Sequence, residues 1–257
     1  MAVHLTKDRR KHSTTQFMGY HTVYDGELGP RQVLGIHMLT NFRQPRYKDG
    51  WRRKTLGDVV KLLLDPIVSD IPVTGVTCGG DYYALQVIQY FESKMLDYVI
   101  RASILPNISQ IIANNDLETL PDGQGYEHSP GLTIGVGKNS VPLRLVIVKR
   151  GQELTPLVLP RYSILTPEQA LLVYEEHFGI ETVYREIYKY LPSTCSNSPN
   201  YRLAVYASTV WFFNLLLNYH EIVVIWSPNP TSWRTSLALT HARFATLLGE
   251  IMRTCSQ

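Results

Sequence analysis

The chain opens with three short runs that are rich in β-branched and aromatic residues, at residues 2–6, 17–24 and 32–40. Polar segments and segments with Gly or Pro separate these runs, as is typical of the turns between strands. Three strands in immediate succession predict an antiparallel meander at the start of the fold.

The next part of the chain alternates between two periodicities. Residues 55–64 have helical spacing, and Pro66 is expected to close that helix. Residues 73–78 read as a compact apolar strand, residues 84–95 as a helix, and residues 96–102 as a further strand. The resulting order βββαβαβ is that of an RNase H-like fold, in which three antiparallel strands are extended by parallel strands through helical crossovers.

A β-rich pattern follows this core. After a short helix, the loop at residues 121–130 is rich in turn residues, and strands are expected at residues 132–136, 143–149 and 154–159. We interpret this segment as an insertion that precedes the last catalytic helix of an α/β fold.

The remaining residues have a mostly helical pattern. Thr166 followed by Pro167 and Gln169 predicts a helix that starts with a capping box. Gly179 marks a break, and the apolar stretch at residues 203–226 is interpreted as a buried helix followed by a short strand. Further helices are expected at residues 180–190, 201–217 and 233–253.

These patterns divide the chain into three parts. Residues 1–105 are expected to form the first part of the RNase H-like core, residues 106–163 the β-rich insertion, and residues 164–257 the helical completion of the core.

The formal net charge is only +3, so the distribution of charge is more informative than its sum. Cations cluster near the amino end and within residues 43–54, where they are either a solvated surface or a nucleic-acid contact. The candidate DNA-binding residues are Lys7, Arg9, Arg10, Lys11, Arg52, Arg53, Lys54, Arg185 and Lys189.

Three widely spaced cysteines, Cys78, Cys195 and Cys255, support neither a disulfide framework nor a zinc site. A reducing cytoplasmic setting is expected. Polar residues interrupt the long apolar stretch at residues 203–226, so no membrane association is expected.

Two segments resemble a known family. Residues 77–102, from Thr77 to Ala102, are similar to the strand, turn, helix and strand around the second catalytic aspartate of DDE insertion-sequence transposases. The segment from Tyr174 through Glu181 to Pro192 resembles the Y-x2-R-x3-E-x6-K signature of bacterial and archaeal members. The resemblance covers roughly residues 2–218, and it implies an RNase H-like core that cuts and joins DNA ends.

The chain departs from the family pattern at the positions that matter most for catalysis. The position of the first aspartate is occupied by His4, and that of the second by Gly79, with Asp81 two residues later. Glu181 alone matches, whereas the signature's arginine is replaced by His177.

Two-metal phosphoryl transfer needs carboxylates that converge on a pair of divalent cations, and Mg²⁺ prefers charged oxygen ligands. Glycine has no side chain, and histidine is a better ligand for Mn²⁺ or Zn²⁺. The resemblance therefore implies an impaired Mg²⁺ or Mn²⁺ site or no cofactor, with His4, Asp81 and Glu181 as an altered ligand set if activity persists. Each residue also has a structural interpretation: His4 as a core histidine, Asp81 as a turn residue or helix cap, and Glu181 as an acid favoured by a helix dipole.

Three functions remain open from the sequence. The first is an active transposase, and the second is a non-catalytic remnant that binds double-stranded DNA such as transposon ends, as a homodimer or with a partner transposase. The third is an interaction or structural protein that keeps the RNase H-like scaffold without binding DNA. Salt-sensitive DNA binding without cleavage distinguishes the second function from the other two.

Overall fold

The computed structural model describes residues 2–11, 17–25, 32–40, 55–176, 179–192 and 199–226 of the 257-residue chain. The strands are β1 Ala2–Lys11, β2 Phe17–Asp25, β3 Val33–Thr40, β4 Gly75–Cys78, β5 Asp97–Arg101, β6 Gly125–Ile134, β7 Val141–Arg150 and β8 Glu153–Pro160. The α-helices are α1 Leu56–Asp70, α2 Leu85–Ser93, α3 Pro106–Asn114, α4 Pro167–Glu176, α5 Gly179–Tyr190 and α6 Pro199–Trp226.

The fold is a mixed α/β arrangement around one sheet, in the order β3-β2-β1-β4-β5-β8-β7-β6. β1 is antiparallel to β2 and parallel to β4, which is in turn parallel to β5. On the far side, β5, β8, β7 and β6 are antiparallel neighbours. The predicted extension of the first strands by parallel strands is confirmed, because β4 and β5 follow β1 through the crossovers α1 and α2.

The two faces of the sheet bury different residues because successive side chains on a strand alternate between faces. Tyr98 and Ile100 of β5 join the larger apolar cluster, with side chains from α1, α2 and α3. Val99 joins the other cluster, with Ala170, Tyr174 and strands β7 and β8. The sheet is thus covered by helices on both faces, which is why its central strands are almost wholly apolar.

Helix α1 begins at a capping box and continues beyond the proline that was expected to end it. The Thr55 side chain accepts a hydrogen bond from the Asp58 amide at 3.2 Å, and the Thr55 amide donates to Asp58 Oδ2 at 2.9 Å. Pro66 lies inside the helix, so the prediction that it closes α1 was wrong. Leu63, Leu64 and Ile67 are buried around Pro66, and this burial offsets the hydrogen bond that the proline removes.

The β-rich segment supplies three strands to the same sheet, but the turn-rich loop is shorter than expected. β6 begins at Gly125, so the second half of the loop expected at residues 121–130 is strand instead. Its turn residues are accommodated by an irregularity in the pairing between His128 and Leu132, where Gly131 has φ +69°. A bulge on an edge strand tolerates Pro and Gly, which explains why a turn signal occurs within a strand.

In the carboxyl-terminal third of the chain, the start of α4 was predicted correctly, whereas the end of α6 was not. The Thr166 amide donates to Gln169 Oε1 at 2.9 Å and the Gln169 amide to Thr166 Oγ1 at 3.2 Å, so the capping box is confirmed. α6 continues to Trp226, and the short strand expected at the end of residues 203–226 was wrong. β-branched residues favour strands only weakly, and the helix simply continues through them. The helix expected at residues 233–253 lies outside the described residues.

The chain divides into two compact units, one of Met1–Leu28 with Leu34–Ile180 and one of Gly29–Val33 with Glu181–Gln257. In the second unit, Asn214 of α6 donates to the Val33 carbonyl at 2.7 Å and accepts from the Val33 amide at 3.0 Å. Across the described ranges, every helix is too short or too polar to cross a lipid bilayer.

Candidate functional site

The first two positions of the expected catalytic set lie on adjacent parallel strands. His4 of β1 pairs with Thr77 of β4. Gly79 lies two residues after Thr77 and directly follows Cys78, the last residue of β4. Residues that are close in the register of neighbouring parallel strands are close in space. The backbone therefore places position 4 on the strand beside the one that leads to position 79, within the first unit.

A tight turn carries Gly79 and Asp81 at the edge where β4 ends. The Tyr82 amide donates to the Gly79 carbonyl at 3.0 Å, and the Tyr83 amide donates to Gly80 at 3.1 Å, which closes a single 3-10 turn. Tyr82 is only 1% exposed and anchors the turn in the core, whereas Asp81 is exposed. Gly79 has φ −67° and ψ 168°, an extended conformation that any residue adopts. The turn would therefore accept an aspartate at position 79 without backbone strain.

A half-buried arginine at the end of the next strand lies beside the turn. Arg101 ends β5 and forms an ion pair with Glu153 of β8, and the Arg101 carbonyl lies 3.6 Å from the position of a β-carbon at Gly80. Burial raises the pKa of the Tyr174 phenol, while the hydrogen-bonding Arg101 guanidinium acts in the opposite direction. Tyr174 is 4% exposed and packs among apolar side chains. The tyrosine of the family signature is thus a core residue here, and the pattern of its neighbours gave no sign of its contact with Arg101.

The aromatic residues that follow the turn are also mainly structural. Tyr82 and Tyr98 are 1% exposed and Tyr90 is 9% exposed, whereas Tyr83 is half-buried. Tyr98 donates a hydrogen bond to Glu92 at 2.8 Å and Tyr90 donates to Asp65 at 3.0 Å. Tyr82, Tyr90 and Tyr98 are therefore core residues.

The described side chains do not assemble a metal site. Among them, no group of three or more His, Cys, Asp or Glu residues is placed to hold a metal ion. His4 and Glu181 are described in their backbone only, Glu181 as the third residue of α5. At position 79 a glycine offers no side chain as a metal ligand.

The candidate DNA-binding cations fall into three groups. Four of them, Lys7, Arg9, Arg10 and Lys11, occupy the second half of β1. Arg52, Arg53 and Lys54 lie outside the described residues. On α5, Arg185 is exposed, and Lys189 forms an ion pair with Glu186 at 2.6 Å.

The sequence did not indicate how far β1 extends. The strand was expected at residues 2–6, but it continues to Lys11, paired throughout with β2 from Lys11↔Phe17 to Val3↔Asp25. The run of charges after Thr6 hides the strand, since it has no apolar alternation. The apolar, aromatic-rich pattern of β2 was the one signal that a partner of this length exists.

Comparison with known proteins identifies no family. No family model matches the chain, and no curated protein matches it. Among solved structures it is distantly similar to human ENDOV, with a TM-score of 0.36 and 10% sequence identity over 72% of this chain and 82% of that one. The likeness is too slight to support any statement about activity.

Proposed function

We propose that this chain is a transposase-derived protein on an RNase H-like sheet that binds double-stranded DNA and has lost most of its capacity to cleave it. The observation that carries the proposal is the pairing of β1 with β4, which places His4 beside Thr77 and Gly79 at the same edge. Those two positions are the ones at which the family resemblance requires aspartates. The carboxylates are therefore missing at the two positions where the resemblance expects them.

Loss of catalysis follows from the chemistry of the donor set. Two-metal catalysis depends on carboxylates that fix both ions, and such ions contribute several kcal/mol of transition-state stabilisation. Replacing two of three carboxylates by His4 and Gly79 leaves Glu181 as the single acid at a family position. An alternative is an active enzyme in which Asp81, exposed two residues beyond Gly79, joins His4 and Glu181.

Retention of DNA binding is supported by the cations that remain. Lys7, Arg9, Arg10 and Lys11 lie on the same strand as position 4, and Arg185 is exposed on the helix that begins just before Glu181. Cations of this kind supply the sequence-independent part of DNA affinity. In the third function, a scaffold that does not bind DNA, this concentration of charge would serve only to hinder pairing of the strand with another chain.

A supercoiled-plasmid nicking assay tests the proposal with Mg²⁺ and with Mn²⁺. The unmodified chain should not nick, whereas His4→Asp combined with Gly79→Asp should nick at a rate higher by about a thousandfold or more. Adding Glu181→Gln to the restored variant should abolish that activity, and Glu176→Gln on α4 is the matched control, which should retain it.

The other outcomes separate the competing functions. Nicking by the unmodified chain that disappears in Glu181→Gln would establish the altered active site and overturn the loss of cleavage. If the variant with both aspartates restored folds and binds DNA but fails to nick it, that result would overturn the transposase origin of this edge.

A further inference from the structure

At the candidate site, β1 extends well past the end of its parallel neighbour β4. In the described residues β1 pairs with β4 only from Ala2 to Leu5, and β4 ends at Cys78. The next six residues of β1, Thr6–Lys11, remain strand and pair with β2. At about 3.3 Å per residue they extend the sheet by roughly 20 Å beyond the carboxyl edge. We call the segment Thr6–Lys11 the basic strip.

The basic strip concentrates charge in one place. It holds four cations and one acid, Asp8, a net charge of +3 that equals the formal net charge of the whole chain. Its partner on β2, residues 17–22, contains no Lys, Arg, Asp or Glu. Opposing charge from the neighbouring strand therefore does not neutralise the strip.

We propose that the basic strip binds the phosphodiester backbone of double-stranded DNA and holds it against the edge that carries Gly79. This inference rests on the proposed function and names the part of the molecule that performs it. By continuation of the β1–β4 register, the strip begins at the level of Gly79, so a duplex held there passes the turn that carries Asp81. Phosphates of one strand follow each other at about 3.4 Å along the duplex axis, so a strip of this length spans about six of them.

The strip also has a purely structural interpretation. Cations on an exposed strand edge hinder pairing with another chain and so prevent aggregation. This interpretation predicts that loss of the cations promotes self-association and leaves DNA affinity unchanged. The two interpretations can therefore be separated by one set of variants.

The test compares duplex binding by the full chain, by Arg9→Gln with Lys11→Gln, and by the control Arg150→Gln with Arg161→Gln. Positions 9 and 11 are two residues apart on β1 and therefore share one face of the strand. The control removes the same charge from two exposed positions of the same unit that lie away from the strip. Fluorescence anisotropy of a labelled duplex is followed from about 50 to 200 mM salt with EDTA present. Circular dichroism and light scattering check folding and self-association.

We expect the strip variant to lose affinity by about tenfold to a hundredfold at low salt, with a shallower dependence of log affinity on log salt by roughly 1.8. The control should keep most of the affinity and slope, and unlabelled duplex should compete better than single strands. Equal losses of affinity in both variants, or self-association with unchanged affinity, would overturn the role of the strip but not the proposed function. Absence of duplex binding by the unmodified chain would overturn the proposed function as well.

Discussion

At the scale of single residues, Met95 has the least favourable backbone conformation of the non-glycine residues that the structure describes. It follows the last turn of α2 with φ +53°, and the Leu96 amide donates to the Phe91 carbonyl at 3.1 Å. This is the bond pattern of a helix end that glycine usually occupies. The Met95 side chain is 86% exposed, so it gains little packing in return.

Met95→Gly should therefore stabilise the protein. The left-handed conformation costs a non-glycine residue about 1 to 2 kcal/mol, and the greater freedom of glycine in the unfolded chain removes part of that gain. We expect the free energy of unfolding in urea to rise by about 0.5 to 1 kcal/mol. Met95→Ala keeps the β-carbon and should give no increase; an equal rise in both variants would instead implicate the exposed side chain.

Residue-scale patterns predicted the candidate site in part. The apolar run at residues 73–78 correctly placed the end of β4, because strand periodicity is a local signal. The contact of Arg101 with Tyr174 was not predictable, since these residues lie on different elements and meet only through packing across the sheet.

At the scale of elements, boundaries followed the sequence where a local hydrogen bond sets them. Thr166 begins α4 as predicted because its side chain and that of Gln169 satisfy each other's backbone amides. Pro66 did not end α1, and the charges of the basic strip did not end β1, because burial in one case and backbone pairing in the other outweigh local preference.

The capping box of α4 can be tested directly. Thr166→Ala removes the acceptor for the Gln169 amide and should lower the free energy of unfolding by about 1 kcal/mol. Thr166→Ser keeps the hydroxyl and should retain most of the stability, as measured in parallel urea titrations. A cost for serine as large as that for alanine would assign the effect to the methyl group instead.

At the scale of the whole molecule, the order of the sheet was predictable for its first half and not for its second. The succession of strands and helices predicted that β4 and β5 would extend β1, since crossover connections constrain the topology. That β8 would join β5, with β7 and β6 outside it, depends on a pairing between distant segments for which the sequence has no marker. The boundary between the two units after Ile180 lies beside the break predicted at Gly179, whereas the assignment of Gly29–Val33 to the second unit has no local marker.

The pairing of Val3 with Val76 has a kinetic consequence, because the chain must close a loop of more than seventy residues before β1 can contact β4. The hairpin of β7 and β8 closes through Arg150 and Glu153, which are three residues apart, whereas Val3 and Val76 are 73 residues apart. Closing a loop that is roughly 24 times longer costs about 3 kcal/mol more chain entropy. We expect amides of residues 141–160 to gain protection in pulsed hydrogen exchange before those of residues 75–78. Simultaneous protection would contradict this order. If it holds, refolding chains will carry a folded hairpin well before positions 4 and 79 become neighbours.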